Sequence, residues 1–121
     1  MFQSSFDHNS KKRFTVKIGQ HLKVISIDEI ECFFSENKGT YIHTFDNRNY
    51  LIDATLEVLE QELEAKDFFR INRKIIIHLN SIEKATAYFN SRLIITTQLI
   101  DSDSKIVSRE RVSEFKKWLD N

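Results

Sequence analysis

Glycine and proline are scarce: the 121-residue chain has two glycines and no proline. A Walker phosphate loop needs two glycines within six residues, a dinucleotide fingerprint needs three, and a G-x-S-x-G nucleophile elbow needs two within five. Gly19 and Gly39 stand twenty positions apart, so none of these is present. Collagen-like and proline-rich readings fall for the same reason. Cys32 is the only cysteine, which rules out an internal disulfide and fits a reducing, cytoplasmic setting. It lies in the apolar run Ile30-Glu31-Cys32-Phe33-Phe34 with no histidine beside it, so packing is favoured over nucleophilic chemistry. No apolar run approaches the roughly 20 residues of a membrane helix. The start, Met1 to Ser10, lacks a basic leader followed by an apolar stretch and does not read as a secretory signal.

Metal and hydrolytic chemistry find little support. His8, His21, His43 and His78 show no i, i+4 pair, and there is no Cys-x-x-Cys, so no metal and no cofactor are expected. The carboxylates cluster in the segment 53–67, six acids against Lys66, and read as a solvated helix face. The expectation is a binding protein and not an enzyme. Net charge is zero, yet residues 68–117 hold ten bases against five acids, and such a segregation can attract a polyanion locally.

What is present is hydrophobic patterning. Residues 1–12 are polar and without period and read as a tail or interdomain linker, leaving 13–121 as one domain. Phe14-Thr15-Val16-Lys17-Ile18 alternates at the period of a half-buried strand and turns at Gly19-Gln20 into His21 to Ile25. Ser26 with Glu29 three residues on has the form of a capping box. Strands are expected at 31–35, 40–45 and 49–52 as an antiparallel meander. A helix follows, capped by Thr55, with Leu56, Leu59 and Leu63 on one stripe. Further strands are expected at 68–72, 75–79, 82–89 and 92–97, with Asn90-Ser91 turning the last pair, before a helix from about Ser108 to Leu119. The fold class is therefore mainly β, with one mid-chain and one C-terminal helix.

Three loops interrupt these apolar strands with polar and basic residues: Asn37-Lys38-Gly39-Thr40, Arg70-Ile71-Asn72-Arg73-Lys74 and Ser108-Arg109-Glu110-Arg111. Arginines at a helix N-terminus oppose the macrodipole, so Arg109 and Arg111 are poor choices for stability alone. A phosphate suits that position, and an arginine fork also matches guanine O6 and N7. Solubility explains any one of these bases; three such loops in a small domain favour nucleic acid. A protein-interaction module using the exposed strands and acidic helix is the rival reading, and a small hydrolase a more distant third.

The run Ile27-Asp28-Glu29-Ile30-Glu31-Cys32-Phe33-Phe34-Ser35-Glu36-Asn37-Lys38-Gly39-Thr40-Tyr41-Ile42-His43-Thr44 resembles the opening of a LytTR-type DNA-binding domain. Leu56 to Leu63 and then Phe68-Phe69-Arg70-Ile71-Asn72-Arg73 are similar to that family's centre. Val107-Ser108-Arg109 with Phe115-Lys116-Lys117-Trp118-Leu119 are similar to its close, so the resemblance covers about Arg13 to Leu119. It departs from the family pattern at Asn72, Lys74 and His78, where histidine, serine and asparagine are usual.

The resemblance implies an elongated sandwich of small, mostly antiparallel sheets whose loops enter successive major grooves of double-stranded DNA. Carried over by position, the contacts are Asn37, Lys38 and Thr40 in the first loop, Arg70, Asn72, Arg73 and Lys74 in the second, and Ser108 and Arg109 in the third. It further implies a transcriptional regulator that binds direct repeats, as a dimer on DNA, with a receiver domain N-terminal to it in a two-component response regulator. A stand-alone regulator is the other form such a chain can take.

Overall fold

A computed structural model describes residues 10–97 and 105–121. Among them, three antiparallel sheets and two helices form the mainly β fold that the patterning implies. Strands β1 (Arg13–Ile18) and β2 (His21–Ser26) make a hairpin, with Gly19 at φ +59° in its turn. The central sheet has the order β5-β4-β3-β7-β6, built from β3 (Ile30–Glu36), β4 (Gly39–Thr44), β5 (Asn49–Ile52), β6 (Phe68–Asn72) and β7 (Ile75–His78). The third sheet holds β8 (Ile82–Tyr88), β9 (Arg92–Thr97) and β10 (Ile106–Val107) in the order β10-β9-β8.

The inner strands β3 and β7 are covered on both faces, which is why Ile30–Phe34 and Ile75–Ile77 read as nearly continuous apolar runs, whereas β5 at the edge leaves Leu51 exposed. Side chains alternate across a strand. Phe33, Ile42, Phe68 and Ile76 accordingly face one core with Phe14, Val16 and Ile25 of the hairpin, Leu56 and Leu59 of α1 (Leu56–Glu62) and Leu63, the residue that caps its C-terminus. Cys32, Ile71 and Ile77 face a second core with Ile95, Val107 and Phe115, the last from α2 (Val112–Leu119). Burying each Phe or Ile contributes roughly 1.5–3 kcal/mol, so two small cores on one sheet suffice for a chain of this size.

Local signals act as expected at the helix starts. The Thr55 hydroxyl accepts the Val58 N–H at 3.1 Å, and Ser26 with Glu29 completes a capping box over a single 3-10 turn, Ile27–Glu29. The C-terminal helix begins later than the expected Ser108: Arg109–Arg111 forms a 3-10 turn and α2 starts at Val112. Strand β10 is too short to show a period and is found only in the structure. Residues 10–12 of the expected tail are tied to the rest of the fold: the Ser10 hydroxyl donates to Glu64 just beyond α1 at 2.6 Å, the Lys11 N–H donates to the Glu62 carbonyl at 2.9 Å, and the Lys12 carbonyl accepts the Ile27 N–H at 3.0 Å; residues 1–9 lie outside the described residues.

Candidate nucleic-acid interface

Strand register brings the three basic loops together. Phe34 of β3 pairs with Tyr41 of β4 on one side and Ile75 of β7 on the other. The β3–β4 turn and the β6–β7 turn therefore leave the same end of the central sheet. Between their midpoints lie two strand spacings, about 10 Å. The backbone ties them: the Ser35 N–H donates to the Lys74 carbonyl at 2.9 Å. The third loop joins through β6, since the Ser108 N–H donates to the Ile71 carbonyl at 2.9 Å and Asn72 Nδ2 to the Ile106 carbonyl at 2.7 Å. Three parts of the chain that are far apart in sequence thus meet at one end.

The first tip is a two-residue turn with both residues in the left-handed region, Asn37 at φ +49° and Lys38 at φ +67°. That geometry matches the twist of the flanking strands and normally selects Asn-Gly. Gly39 is not the residue with positive φ. It opens β4, where an added Cβ would come within 3.1 Å of both Leu51 Cδ1 and the Tyr41 ring. Thr40 is half-buried, paired with Ser35.

At the second tip, the residues divide into two kinds. Arg73 and Lys74 are exposed. Arg70 is committed: only 10% of its side chain is exposed, and Nη1 reaches Glu57 at 3.0 Å and Glu60 at 2.8 Å. Its Nε and Nη2 donate to the Asn72 and Arg73 carbonyls, at 3.2 and 2.7 Å. Asn72 also supports the loop, its Oδ1 accepting the Lys74 N–H at 2.7 Å. The α1 acids, expected to form a purely solvated face, therefore include two that hold a basic loop in shape. The Glu57 carboxyl is kept below the usual carboxylate range by its own backbone N–H and then by Arg70.

In the third loop Arg109 is exposed and Ser108 half-buried. Arg111, part of the basic cluster there, turns back, its Nη1 donating to the Arg70 carbonyl at 3.2 Å. Among the described residues, the side chains of Lys38, Arg73, Lys74 and Arg109 have no ion-pair or hydrogen-bond partner. Four cations without internal partners among the described residues, at one end of a sheet and on tips shaped by hydrogen bonds within the chain, suit a polyanion.

The pattern of the LytTr DNA-binding domain matches residues 20–120, all three loops included. The chain belongs to that family. Over 114 residues it is 31% identical to the sensory transduction protein LytT of Bacillus subtilis, covering 93% of this chain and 45% of that protein. A second LytT, from Enterococcus faecalis, is 33% identical over 75 residues, 61% of this chain and 30% of the relative. The chain thus spans less than half the length of these curated relatives. The fold is shared with a solved structure described as the "LytTr DNA-binding domain of putative methyl-accepting/DNA response regulator from Bacillus cereus", at a TM-score of 0.80 and 20% identity over 91% of this chain and 98% of that one.

One neighbour of the interface is absent from the sequence reading. The β8–β9 tip, Tyr88 to Arg92, is adjacent to Ser108 because Leu93 pairs with Val107. Sequence marks Asn90-Ser91 as a turn and assigns Phe89 to the strand before it. Its position depends on β10, a two-residue strand with no signal of its own.

Proposed function

We propose that this end of the central sheet reads double-stranded DNA through tips in the major groove, and that the protein regulates transcription as the output domain of a two-component response regulator. The observation that carries the reading is the convergence of Lys38, Arg73, Lys74 and Arg109, unpaired among the described residues, on tips locked together by the Ser35–Lys74 and Ser108–Ile71 bonds. A hairpin tip is narrow enough for a major groove about 12 Å wide. Arg109 reads a base, most simply guanine through its fork, while Arg73 and Lys74 hold phosphates and set register. Asn37, Lys38, Thr40 and Ser108 complete the surface. Arg70 and Asn72 act by shaping the second tip. The relatives' extra length leaves room for a receiver domain, and direct repeats bound by two copies in the cytoplasm fit that context.

Selection of duplexes from a random pool supplies the test. The recovered duplex should lose affinity steeply with salt. Arg109→Ala should relax preference at one base position, a contact worth about 1–3 kcal/mol. Lys74→Ala should weaken all sequences alike and lower the salt slope by about one. An Arg109→Ala protein with unchanged base preference, or a wild-type protein that recovers no sequence, overturns the reading.

A further inference from the structure

The β8–β9 tip is an aromatic–cationic cluster beside the proposed DNA surface that the three loops leave unused, with Phe89 exposed and Tyr88 and Arg92 half-buried. Phe89 is 71% exposed, the most exposed large apolar side chain among the described residues. A lone exposed hydrophobe is ordinary; this one is packed against a ring of its own turn. Its ring meets Tyr88 edge-on at 5.0 Å, and the Tyr88 ring in turn carries the Arg92 guanidinium at 5.1 Å. Arg92 Nε donates to the Phe89 carbonyl at 3.0 Å, which fixes the arginine across the turn and leaves both η nitrogens without a partner among the described residues. Asn90 and Ser91 both adopt positive φ, +56° and +60°, in a turn tight enough to project the ring.

Register locates the cluster. Leu93 pairs with Val107 and Ile94 with Ile106 in the antiparallel β9–β10 ladder. Arg92 is therefore level with Ser108, about 5 Å away across one strand spacing. Ser108 and Ile106 are the residues whose bonds to Ile71 and Asn72 place Arg109 at the interface.

We propose that this tip is a fourth DNA contact. Arg92 binds a backbone phosphate just outside the bases met by Arg109, and Phe89 packs on the adjoining deoxyribose. The assignment rests on the DNA-reading function proposed above and extends its footprint. A guanidinium stacked on an aromatic ring and hydrogen-bonded at Nε has lost most of its freedom beforehand, so little further entropy is lost when its fork meets a phosphate. Contacts of this kind position the protein without reading sequence.

The probe is the duplex recovered from the random pool, carried with five additional base pairs on each side. Arg92→Ala should weaken it about tenfold and lower the salt slope by about one, whatever the central sequence. Hydroxyl-radical protection should shrink by two or three sugars at one border only. Arg92→Lys keeps the charge and should retain the slope while losing part of the affinity. Phe89→Ser, a surface change that leaves both cores intact, should reduce border protection without moving the slope. Unchanged affinity and unchanged border protection in Arg92→Ala overturn the proposal. Arg109→Ala separates the two readings, since it should lose base preference yet keep the border protected.

Discussion

Lys38 shows at the residue scale what the interface costs. Its φ of +67° places a long side chain where glycine is favoured, and L-residues are disfavoured there by roughly 1–2 kcal/mol. Glycine would in turn lose more chain entropy on folding, about 0.5–1 kcal/mol. Lys38→Gly should therefore stabilise the domain by about 0.5–1 kcal/mol in urea denaturation while weakening duplex binding. A variant both less stable and unchanged in binding would show that the turn, and not the cation, selected lysine. Cys32 illustrates the opposite kind of residue. Burial and the neighbouring Glu31 carboxylate push its thiol well above the ordinary range, in keeping with the packing role read from its surroundings.

Among elements, His78 links β7 to the 3-10 turn Leu79–Ser81. Its Nδ1 accepts the Asn80 N–H at 3.0 Å, and its ring lies 4.6 Å from that of Phe68. Burial pushes its pKa below the usual value, against the pull of Asp67 and Asp28. The unfolded chain therefore binds a proton more readily than the folded one. Stability is fully present above the unfolded value near 6.5, and falls as pH drops through that value towards the lower folded one. Thermal melts should show this loss between pH 7 and 5. His78→Gln, which keeps an acceptor but does not titrate, should flatten it.

How much of these elements can be read beforehand depends on what decides them. The β3–β4 hairpin, α1 and its Thr55 cap are decided by neighbours in sequence and are legible there. Basic loop positions are equally visible, since charge interrupting an apolar run needs no tertiary context. The partition within the second loop is different. Alternation places Arg70 on the same face of β6 as Phe68, towards α1, but only the folded chain shows Glu57 and Glu60 waiting for it. Strand β10 has two residues and exists because β9 and β6 receive it on either side. The aromatic tip at Phe89 inherits its place from that strand and was hidden for the same reason.

For the whole molecule, the second core contains a buried charge pair. Glu31 enters β3 at a register shift between Ile30 and Cys32, its side chain 1% exposed, 3.9 Å from Lys105 Nζ at 9%. Lys105 also accepts the Ile95 N–H on its carbonyl at 2.8 Å, immediately before β10. The pair thus fastens the strand that leads into the third loop to the central sheet. Lys105→Met should cost about 3–5 kcal/mol in urea denaturation, because the buried Glu31 side chain is left without its partner. Glu31→Leu combined with Lys105→Met should recover most of that loss. If the double variant proved as unstable as the single one, packing rather than charge would govern the site.

The bonds from Ser35 to Lys74 and from Ser108 to Ile71 run between main-chain atoms. Exchange of side chains at the tips leaves them in place. Evolution can thus rewrite which letters are read, one tip at a time, while the ruler that spaces those letters is inherited unchanged. Relatives with unlike target sequences should share the same interval between the positions they recognise.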